Sequence, residues 1–458
     1  MARMKPLPDS PPRLPWTALL GVLVLQLFTA SGRIGNADSG LMLALTRSLI
    51  QGTVSVEGDF DTLIGVDGKP VCHYGILTSV LWILPVLLGR ALAAATGIAA
   101  VENWEELCVG FSVPLLASSL LLLLCVEWRR TGLPTRHASV GVLIFAFATL
   151  LFPYSKREGS DLPMALALFS AWCVVRPGQG GARLALSGFL MGLAFLARPP
   201  AAVLIPPLTL AIVLGRSGLA IPLPAVRGLV TVIAGFLPAA AVHFIYNQAR
   251  YGSPWTVQYV NLEPYRILPL DHWFSNAASV LADPVHGLIP YALVPLAAFT
   301  LAFPTLRRSQ PTLARLIPIL AFCQLFLVSG YSFWGGSVGF GSRFFVFLTP
   351  FAALAWPACV HTLHGKRRTL LAVAVALSIP IHLAGVLVDP LLPHVRTEYD
   401  HTHTAVNFYR ELARFAGLKW GQPSEAVLTS PNFHHPPLQY PDLWWLHALK
   451  MVMDRSGK

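Results

Sequence analysis

An aspartate stands at the start of a predicted helix near the beginning of the chain. Asp38 lies in Gly35-Asn36-Ala37-Asp38-Ser39-Gly40, and apolar residues follow it at helical spacing: Leu41, Leu45, Leu49 and Ile50. This pattern predicts an amphipathic helix lying in a membrane interface. Capping of that helix by Asp38 or Asn36 is one interpretation. A catalytic carboxylate is the other, and the two are compatible, although a helix N-terminus lowers a carboxyl pKa and so weakens the base.

A short loop between two apolar segments combines charges of both signs. Tyr154-Ser155-Lys156-Arg157-Glu158-Gly159-Ser160-Asp161 holds two cations and two carboxylates, which is more than helix capping requires. A local ion-pair cluster is the plain interpretation. The functional interpretation is a site for an anionic headgroup, in which Lys156 and Arg157 bind phosphate and Glu158 or Asp161 lies nearby.

Two more arginines stand at the ends of apolar segments. Arg198 precedes two prolines, which predict a tight turn, and Arg343 closes the glycine-rich stretch from 334 to 343. Snorkelling to headgroups would explain either arginine alone. Together with Lys156 and Arg157 they indicate a phosphate-bearing lipid substrate. The segment from 69 to 75, which contains His73 and Tyr74, is predicted to lie on the same side of the membrane.

Metal binding has weaker support in the sequence. Glu57, Asp59, Asp61 and Asp67 supply enough carboxylates for a divalent cation, but a solvated acidic loop is the simpler and favoured explanation. The histidine pairs at 401 and 403 and at 434 and 435 have no other ligands at metal spacing, and neither do the six cysteines. No metal is therefore assigned from the residues themselves.

The composition indicates an all-α polytopic membrane protein. Apolar residues make up 54% of 458 residues and charged residues only 12%, too few to cover a water-soluble globule of this size. The net charge of +11 does not indicate nucleic acid, because the basic residues are spread in twos and threes at the ends of apolar segments. Membrane lipids are the expected counterpart of these cations.

Charge sorting between the loops predicts the topology. Twelve segments are candidates for a membrane span: 16–32, 76–97, 104–126, 138–153, 161–175, 184–197, 201–215, 228–246, 286–304, 313–333, 344–362 and 369–389. Every second loop carries Lys and Arg with almost no acid, as in Arg129, Arg130 and Arg136. Such loops stay in the cytoplasm. All of them do so only if segment 76–97, with Arg90 inside it, is an interfacial helix.

This reasoning predicts about eleven spans, with the N-terminus in the cytoplasm and the C-terminus outside. Residues 1–389 form the membrane domain, and residues 390–458 form a small extracytoplasmic tail or cap. The outer segments are 33–103, 247–285 and the tail. Interfacial helices are expected in the first of them, which holds Asp38.

The order of these motifs resembles the bacterial integral-membrane glycosyltransferases of the GT-C superfamily, near the protein O-mannosyltransferase and aminoarabinose transferase group. The resemblance covers about residues 16–390. It rests on the early external Asp, the Tyr-Gly element before an interfacial helix, the Tyr-Ser-Lys-Arg-Glu loop and the Leu-Ala-Arg-Pro-Pro turn. The Tyr246–Pro254 segment resembles the group's Asn-x-x-Arg-Phe-Gly-Ser-Pro element, and Trp334–Arg343 resembles its Trp-x-Gly-x-x-x-Gly-x-Arg-type loop.

The resemblance implies a GT-C-like helical bundle in a bacterial inner membrane. It implies hexosyl or pentosyl transfer from a polyprenyl-phosphate donor to a lipid, glycan or protein acceptor on the extracytoplasmic side. Asp38 is then the general base of an inverting displacement. The departing phosphate is bound by Lys156, Arg157, Arg198 and Arg343. Glu158, Asp161, His73 and Tyr74 would orient the sugar or a cation, and some relatives use a divalent metal such as Mg or Mn.

Two other classes of function compete with this one. A secondary transporter or flippase should place ionisable or helix-breaking groups near the bilayer midplane in repeated halves. A membrane scaffold would not need cations and carboxylates concentrated on one side. The charges of this chain cluster at the predicted outer ends of its spans, which favours the glycosyltransferase. The identity of the sugar and of the acceptor is not encoded in any motif.

Overall fold

The computed structural model describes residues 14–57, 62–97, 101–176, 180–216, 223–256, 267–284, 286–332, 334–335, 340–388 and 443–446. In this part of the chain nearly all regular structure is helical. The helices are α1 Trp16–Phe28, α2 Ala37–Ile50, α3 Ile76–Thr96, α4 Val101–Arg130, α5 Thr135–Phe147, α6 Leu151–Tyr154, α7 Asp161–Val174, α8 Gly181–Ala197, α9 Ile205–Leu210, α10 Leu223–Tyr251, α11 Leu270–Ala282, α12 Leu288–Tyr291, α13 Leu293–Ser309, α14 Pro311–Ser329, α15 Leu348–Ala353, α16 Trp356–Thr362 and α17 Lys366–Leu387.

Short irregular elements join these helices. A two-stranded antiparallel hairpin pairs β1, Leu63–Ile64, with β2, Pro70–Val71. Turns of 3₁₀ helix cover Pro199–Val203 and Arg343–Phe345. The predicted tight turn after Arg198 is confirmed, because α8 ends at Ala197 and the 3₁₀ turn begins with the two prolines.

The prediction of an all-α membrane protein is confirmed. Five described helices are long and apolar enough to cross a bilayer: α3, α4, α10, α14 and α17. Five shorter apolar helices overlap other predicted spans, among them α1, α7 and α8. Several predicted spans are broken into two pieces, such as α15 and α16. The count of eleven spans stays a prediction.

The main core lies between the long helices and is filled by Leu, Ala, Val and Phe side chains. Helices α8 and α10 approach most closely where glycines face each other's backbone. A Cβ atom on Gly188 would lie 1.9 Å from the Val232 carbonyl oxygen, and one on Gly235 would lie 1.9 Å from that of Ala185. Small residues of this kind let membrane helices pack backbone to backbone.

A second, smaller core supports the segment that contains Asp38. It joins α2 to the β2–α3 turn and to α3 and α4 through Leu43, Cys72, Trp82 and Val109. The helix predicted after Asn36 is confirmed as α2, but the prediction that only one of its faces is apolar and buried was wrong. Consecutive residues from Leu41 to Leu45 are all buried, because neighbouring elements cover both faces of this helix.

Helix α3 is the segment that loop charges assign to the interface. Its beginning and its last turns both contact the end of the bundle where α8 ends and α4 begins. A Cβ atom on Gly75 would lie 2.2 Å from the Leu196 carbonyl oxygen, and one on Gly89 would lie 2.6 Å from that of Trp104. Contacts at one end of the bundle favour a helix along the membrane surface, although the length and composition of α3 also suit a span.

The predicted tail from 390 to 458 lies almost entirely outside the described residues, and so do Asp59, Asp61 and the tail histidines. The exception is residues 443–446. There the Trp444 indole donates to the Leu27 carbonyl at 3.0 Å, and the Trp445 ring stacks on Phe28 at 5.3 Å. This piece of the tail therefore contacts the C-terminal end of α1.

Candidate active site

A polar pocket opens at the end of the bundle where α1 ends and α4 begins, which we call the pocket end. It encloses about 520 Å³, part of it open to solvent. It lies among the first turn of α2, the β2–α3 turn, the loop from α6 to α7, the end of α8 and the turn at Arg343. Its lining is Asn36, Asp38, Ser39, Met42, Tyr74, Tyr154, Arg157, Glu158, Gly159, Ser160, Asp161, Arg198 and Arg343.

The first turn of α2 presents Asp38 to this pocket. Asn36 is the N-cap, since its Oδ1 accepts a hydrogen bond from the Ser39 amide at 2.8 Å. The capping role therefore falls to Asn36 and leaves the Asp38 carboxylate for other contacts. The buried Ser39 hydroxyl donates to the Glu158 carbonyl at 2.7 Å. This bond ties the start of α2 to the charged loop between α6 and α7.

Arg343 lies beside the Asp38 carboxylate. Its Nη1 and Nη2 each lie 3.3 Å from Oδ2, so both use one oxygen of the carboxylate. Burial raises the pKa of Asp38, but the Arg343 charge, a hydrogen bond from Tyr74 and the charge of His73 outweigh it and lower the pKa below its ordinary 3.8. Asp38 is therefore ionised at neutral pH, and 29% of its side chain remains exposed.

A second ion pair lies in the same pocket. Arg198, at the end of α8, donates through Nη1 to Oδ1 of Asp161 in the first turn of α7. The two guanidinium groups of Arg198 and Arg343 also share a neighbour, because they lie 4.8 and 5.3 Å from the ring centre of Phe344. Cation–π contact fixes both groups over one buried ring.

Seven of the nine residues predicted for the site line the pocket: Asp38, Tyr74, Arg157, Glu158, Asp161, Arg198 and Arg343. The remaining two do not. Lys156 is 2% exposed and its Nζ donates to the Val386 carbonyl at 2.7 Å, at the end of α17. His73 lies behind Tyr74, with the two ring centres 4.1 Å apart.

Sequence reasoning did not select several lining residues. Ser39 and Met42 follow Asn36 at intervals of three, which places them on one face of α2. That spacing could have identified them. Tyr154 stands in the charged loop and donates to the Phe340 carbonyl at 3.1 Å, a contact that no local pattern reveals.

A metal is not supported by the residues that the structure describes. They contain no group of three or more His, Cys, Asp or Glu side chains arranged to hold an ion. Of the pocket carboxylates, Asp38 and Asp161 are bonded to arginines. The fit is therefore poor in this part of the chain, and no step of the chemistry below uses a metal.

The pocket has the groups that a base-assisted displacement at a carbon atom with a phosphate leaving group needs. Three arginines offer donors for an anionic oxygen, and an ionised, partly exposed carboxylate can accept a proton. Because three carboxylates accompany the three arginines, the formal charge of the lining is balanced. A phosphate would therefore compete with carboxylates for the same guanidinium groups.

Comparisons with known proteins concern the sequence and the fold of the chain. The sequence profile of the dolichyl-phosphate-mannose-protein mannosyltransferase family matches residues 85–241. The fold is similar to that of ArnT from Cupriavidus metallidurans bound to undecaprenyl phosphate, with 14% identity, a TM-score of 0.52 and coverage of 88% of this chain and 70% of ArnT. The profile match covers about a third of the chain. The structural match shows that the fold is of the same kind as that of ArnT.

A second solved structure resembles this chain less closely. The archaeal oligosaccharyltransferase AglB from Archaeoglobus fulgidus, in complex with an inhibitory peptide and a dolichol-phosphate, has 12% identity and a TM-score of 0.48. The match covers 92% of this chain and 61% of AglB. No curated protein shows significant sequence similarity to this chain.

Proposed function

We propose that this protein is a GT-C glycosyltransferase that transfers a sugar from a polyprenyl-phosphate donor to an acceptor hydroxyl, with Asp38 as the general base. The observation that carries the proposal is the pocket itself. An ionised carboxylate and three arginines line one cavity at the pocket end of the bundle. The predicted loop charges place this end outside the cytoplasm, so the reaction takes place on the extracytoplasmic side of a bacterial inner membrane.

The proposed step is a single inverting displacement. The acceptor O–H gives its proton to the Asp38 carboxylate as its oxygen attacks the anomeric carbon of the donor. The bond from that carbon to the phosphate oxygen breaks, and the polyprenyl phosphate leaves with the electron pair. Donors aimed at the phosphate stabilise the charge that develops there, and Arg157, Arg198 and Arg343 supply them.

In this proposal Arg343 acts on both the Asp38 base and the phosphate leaving group. Its bonds to Asp38 use only one carboxylate oxygen, and a guanidinium has further donors for a phosphate. A phosphate that draws Arg343 away from Asp38 would raise the pKa of that carboxyl and make it a stronger base. Donor binding would then prepare the base for the acceptor.

The other predicted site residues have supporting roles in this proposal. Asp161 orients Arg198 through their ion pair, and Tyr74 orients Asp38. Glu158 lines the sugar side, and His73 acts through Tyr74, on which its ring lies. Lys156 is not assigned to the phosphate, because its ammonium group bonds the end of α17. Hexosyl and pentosyl donors, and lipid, glycan or protein acceptors, all suit this scheme.

The test uses the full chain, purified into lipid nanodiscs, with radiolabelled polyprenyl-phosphate sugars and an extract of envelope acceptors. We expect Asp38→Asn to lower transfer by about 10²- to 10⁴-fold, the range that loss of a general base gives. Asp67→Asn is the matched control, because Asp67 is exposed in the same external segment and is not among the residues that line the pocket. Unchanged transfer in Asp38→Asn would refute the assignment of the base. Absence of transfer by the wild type with every donor would favour a transporter or scaffold.

A further inference from the structure

The segment Asn-x-x-Arg-Tyr-Gly-Ser-Pro at 247–254 begins in the last turns of α10 and does not line the pocket. Arg250 in this segment is 3% exposed. Among the described residues, no carboxylate forms an ion pair with it. A buried cation without a carboxylate partner costs free energy unless hydrogen bonds replace its lost hydration. Such a residue needs an explanation in terms of what it binds.

Arg250 binds the backbone of the β2–α3 turn. Its Nη1 donates to the carbonyl of Cys72 and, at 3.3 Å, to the carbonyl of Tyr74. The guanidinium also lies 3.7 Å from the ring centre of Tyr246 and 4.6 Å from that of Tyr251. The planar group is thus fixed by rings on its own helix while its donors reach another segment of the chain.

Asn247 completes the arrangement. Its Oδ1 accepts from Arg250 Nη2, and its Nδ2 donates to the Pro254 carbonyl at 3.2 Å. Gly252 makes this possible, because it has a φ of +68°, at which the chain turns back after α10. The same turn places the Arg250 carbonyl where it accepts from the Val66 amide at 2.9 Å. The motif therefore joins the end of α10 to the β1–β2 hairpin and to the turn after β2.

Arg250 binds the turn from Cys72 to Tyr74, and this turn carries the tyrosine that contacts the proposed base, Asp38. The Tyr74 side chain hydrogen-bonds Asp38, and His73 lies against Tyr74. The Tyr74 backbone is fixed from one side by Arg250 and from the other by Gly75, whose Cα lies against the end of α8. A change of a few tenths of an ångström at this backbone would move the Tyr74 side chain relative to Asp38.

We propose that Arg250 is a positioning residue: it fixes the turn from Cys72 to Tyr74 so that the Tyr74 side chain bonds the Asp38 carboxylate. This inference rests on the proposed function, because it assigns Arg250 a role through Asp38. Asn247 orients the guanidinium for this purpose. Arg250 itself does not touch the donor or the acceptor.

The test measures the pH dependence of transfer in Arg250→Met, in Tyr74→Phe and in the double variant. Each single change removes the Tyr74 bond from Asp38, so each should lower kcat by about 10- to 100-fold, the effect of one hydrogen bond to a charged group. Each should also move the acid limb of the pH–rate profile, the low-pH side on which the rate falls as Asp38 is protonated, to higher pH. The KM for the lipid donor should stay unchanged. The double variant should lose no more than the more affected single variant. Arg250→Lys, with one compact ammonium group, should recover part of the rate.

A merely structural role gives a different result. It would lower the amount of folded enzyme without moving the acid limb. Arg129→Met is the matched control, since Arg129 also donates through Nη1 to a backbone carbonyl, that of Leu133, at the opposite end of the bundle. Independent, additive effects of Arg250→Met and Tyr74→Phe, or an acid limb that Arg250→Met does not move, would overturn the proposal.

Failure of the proposed function can be told apart from failure of this inference. If Asp38→Asn retains full transfer, the base is assigned wrongly and the pH profile no longer reports on Arg250. Hydrogen–deuterium exchange then decides. Arg250→Met should speed exchange of the amides from 71 to 75, and Arg129→Met should not. Equal exchange in both variants would overturn the inference.

Discussion

Arg343 has a larger influence on the charge of Asp38 than any other neighbour that lowers its pKa. The ionised carboxylate is present above the folded-state pKa and is lost as the pH falls through it. Removal of the Arg343 charge should raise that pKa. We therefore expect Arg343→Gln to move the acid limb of the transfer rate to higher pH, in addition to lowering the rate. A pH profile of kcat measures both effects.

Arg198→Gln is the control for this prediction, because it makes the same chemical change in the same pocket. The Arg198 guanidinium pairs with Asp161 and not with Asp38. The Arg198→Gln variant should therefore lower the rate and leave the acid limb close to its wild-type position. Equal shifts of the limb in the two variants would show that the pocket charge as a whole, and not the contact with Asp38, sets the pKa.

Lys156 and Arg157 are adjacent in the sequence but serve different parts of the structure. Lys156 caps the end of α17 at the Val386 carbonyl, whereas Arg157 lines the pocket. Lys156→Met should therefore destabilise the protein by about 1–3 kcal/mol, the effect of losing a buried hydrogen bond from a charged donor. If the pocket binds a lipid phosphate as proposed, undecaprenyl phosphate should raise the unfolding temperature, and Lys156→Met should leave that shift unchanged. Arg157→Met should have the opposite pattern, and a loss of the shift in Lys156→Met would contradict the capping role.

These residues show what could be predicted locally. Charge type and position at the ends of apolar segments identified Asp38, Arg157 and Arg343 as site candidates, because such groups are costly anywhere in a bilayer except its surface. The direction in which the Lys156 side chain points was not predictable. Its partner, Val386, lies 230 positions further along the chain, and a turn sends neighbouring side chains to different places.

At the scale of secondary-structure elements, one carboxylate joins the three helices that place Asp38. Glu105 of α4 accepts from Arg47 of α2 through Oε2 and from Arg90 of α3 through Oε1, each at 2.7 Å. Glu105 is 2% exposed, whereas the two arginine side chains are 26% and 36% exposed. This contact fixes α2 against its neighbours. It also gives Arg90 a partner, so its presence within an apolar helix has a structural reason.

Glu105→Gln should weaken this junction. The neutral amide leaves two arginines facing one weak acceptor, which should cost about 1–2 kcal/mol, since both cations remain partly solvated. Thermal unfolding measures the loss, and hydrogen–deuterium exchange should rise in α2. Glu127→Gln is the control in the same helix, because the Glu127–Arg130 pair is local to α4. Equal destabilisation by both variants would mean that the junction adds nothing beyond one ion pair.

The position of α2 shows where prediction of elements from sequence fails. Its helical spacing was readable, whereas the sequence left the N-cap open between Asn36 and Asp38. Its burial was not readable, because the covering residues come from distant parts of the chain, such as Trp82 of α3 and Tyr246 of α10. Periodicity reports which residues share a face of a helix, but not how many faces other elements cover.

At the scale of the whole molecule, the sorting of charge along the chain agrees with the helix packing. Arg129 and Arg130 end α4, and Lys366 begins α17, so these cations lie at the end of the bundle opposite to the pocket. The basic loops can all lie in the cytoplasm only if α3 does not cross the bilayer. The contacts of Gly75 and Gly89 at the pocket end favour the same conclusion.

Thiol labelling in intact cells tests this topology directly. In a background with the six native cysteines replaced by alanine, Thr96→Cys places a thiol at the exposed end of α3, and His137→Cys places one in the exposed first turn of α5. If α3 lies in the outer interface, a membrane-impermeant maleimide should label Thr96→Cys in intact cells and His137→Cys only after lysis.

If α3 crosses the bilayer, α4 crosses back. His137→Cys is then labelled in intact cells, and Thr96→Cys is labelled only after lysis. That outcome would add a twelfth span and place every basic loop after α3 outside the cell. The pocket residues on the loops after α4 would then lie on the cytoplasmic side, which is incompatible with the proposed extracytoplasmic reaction.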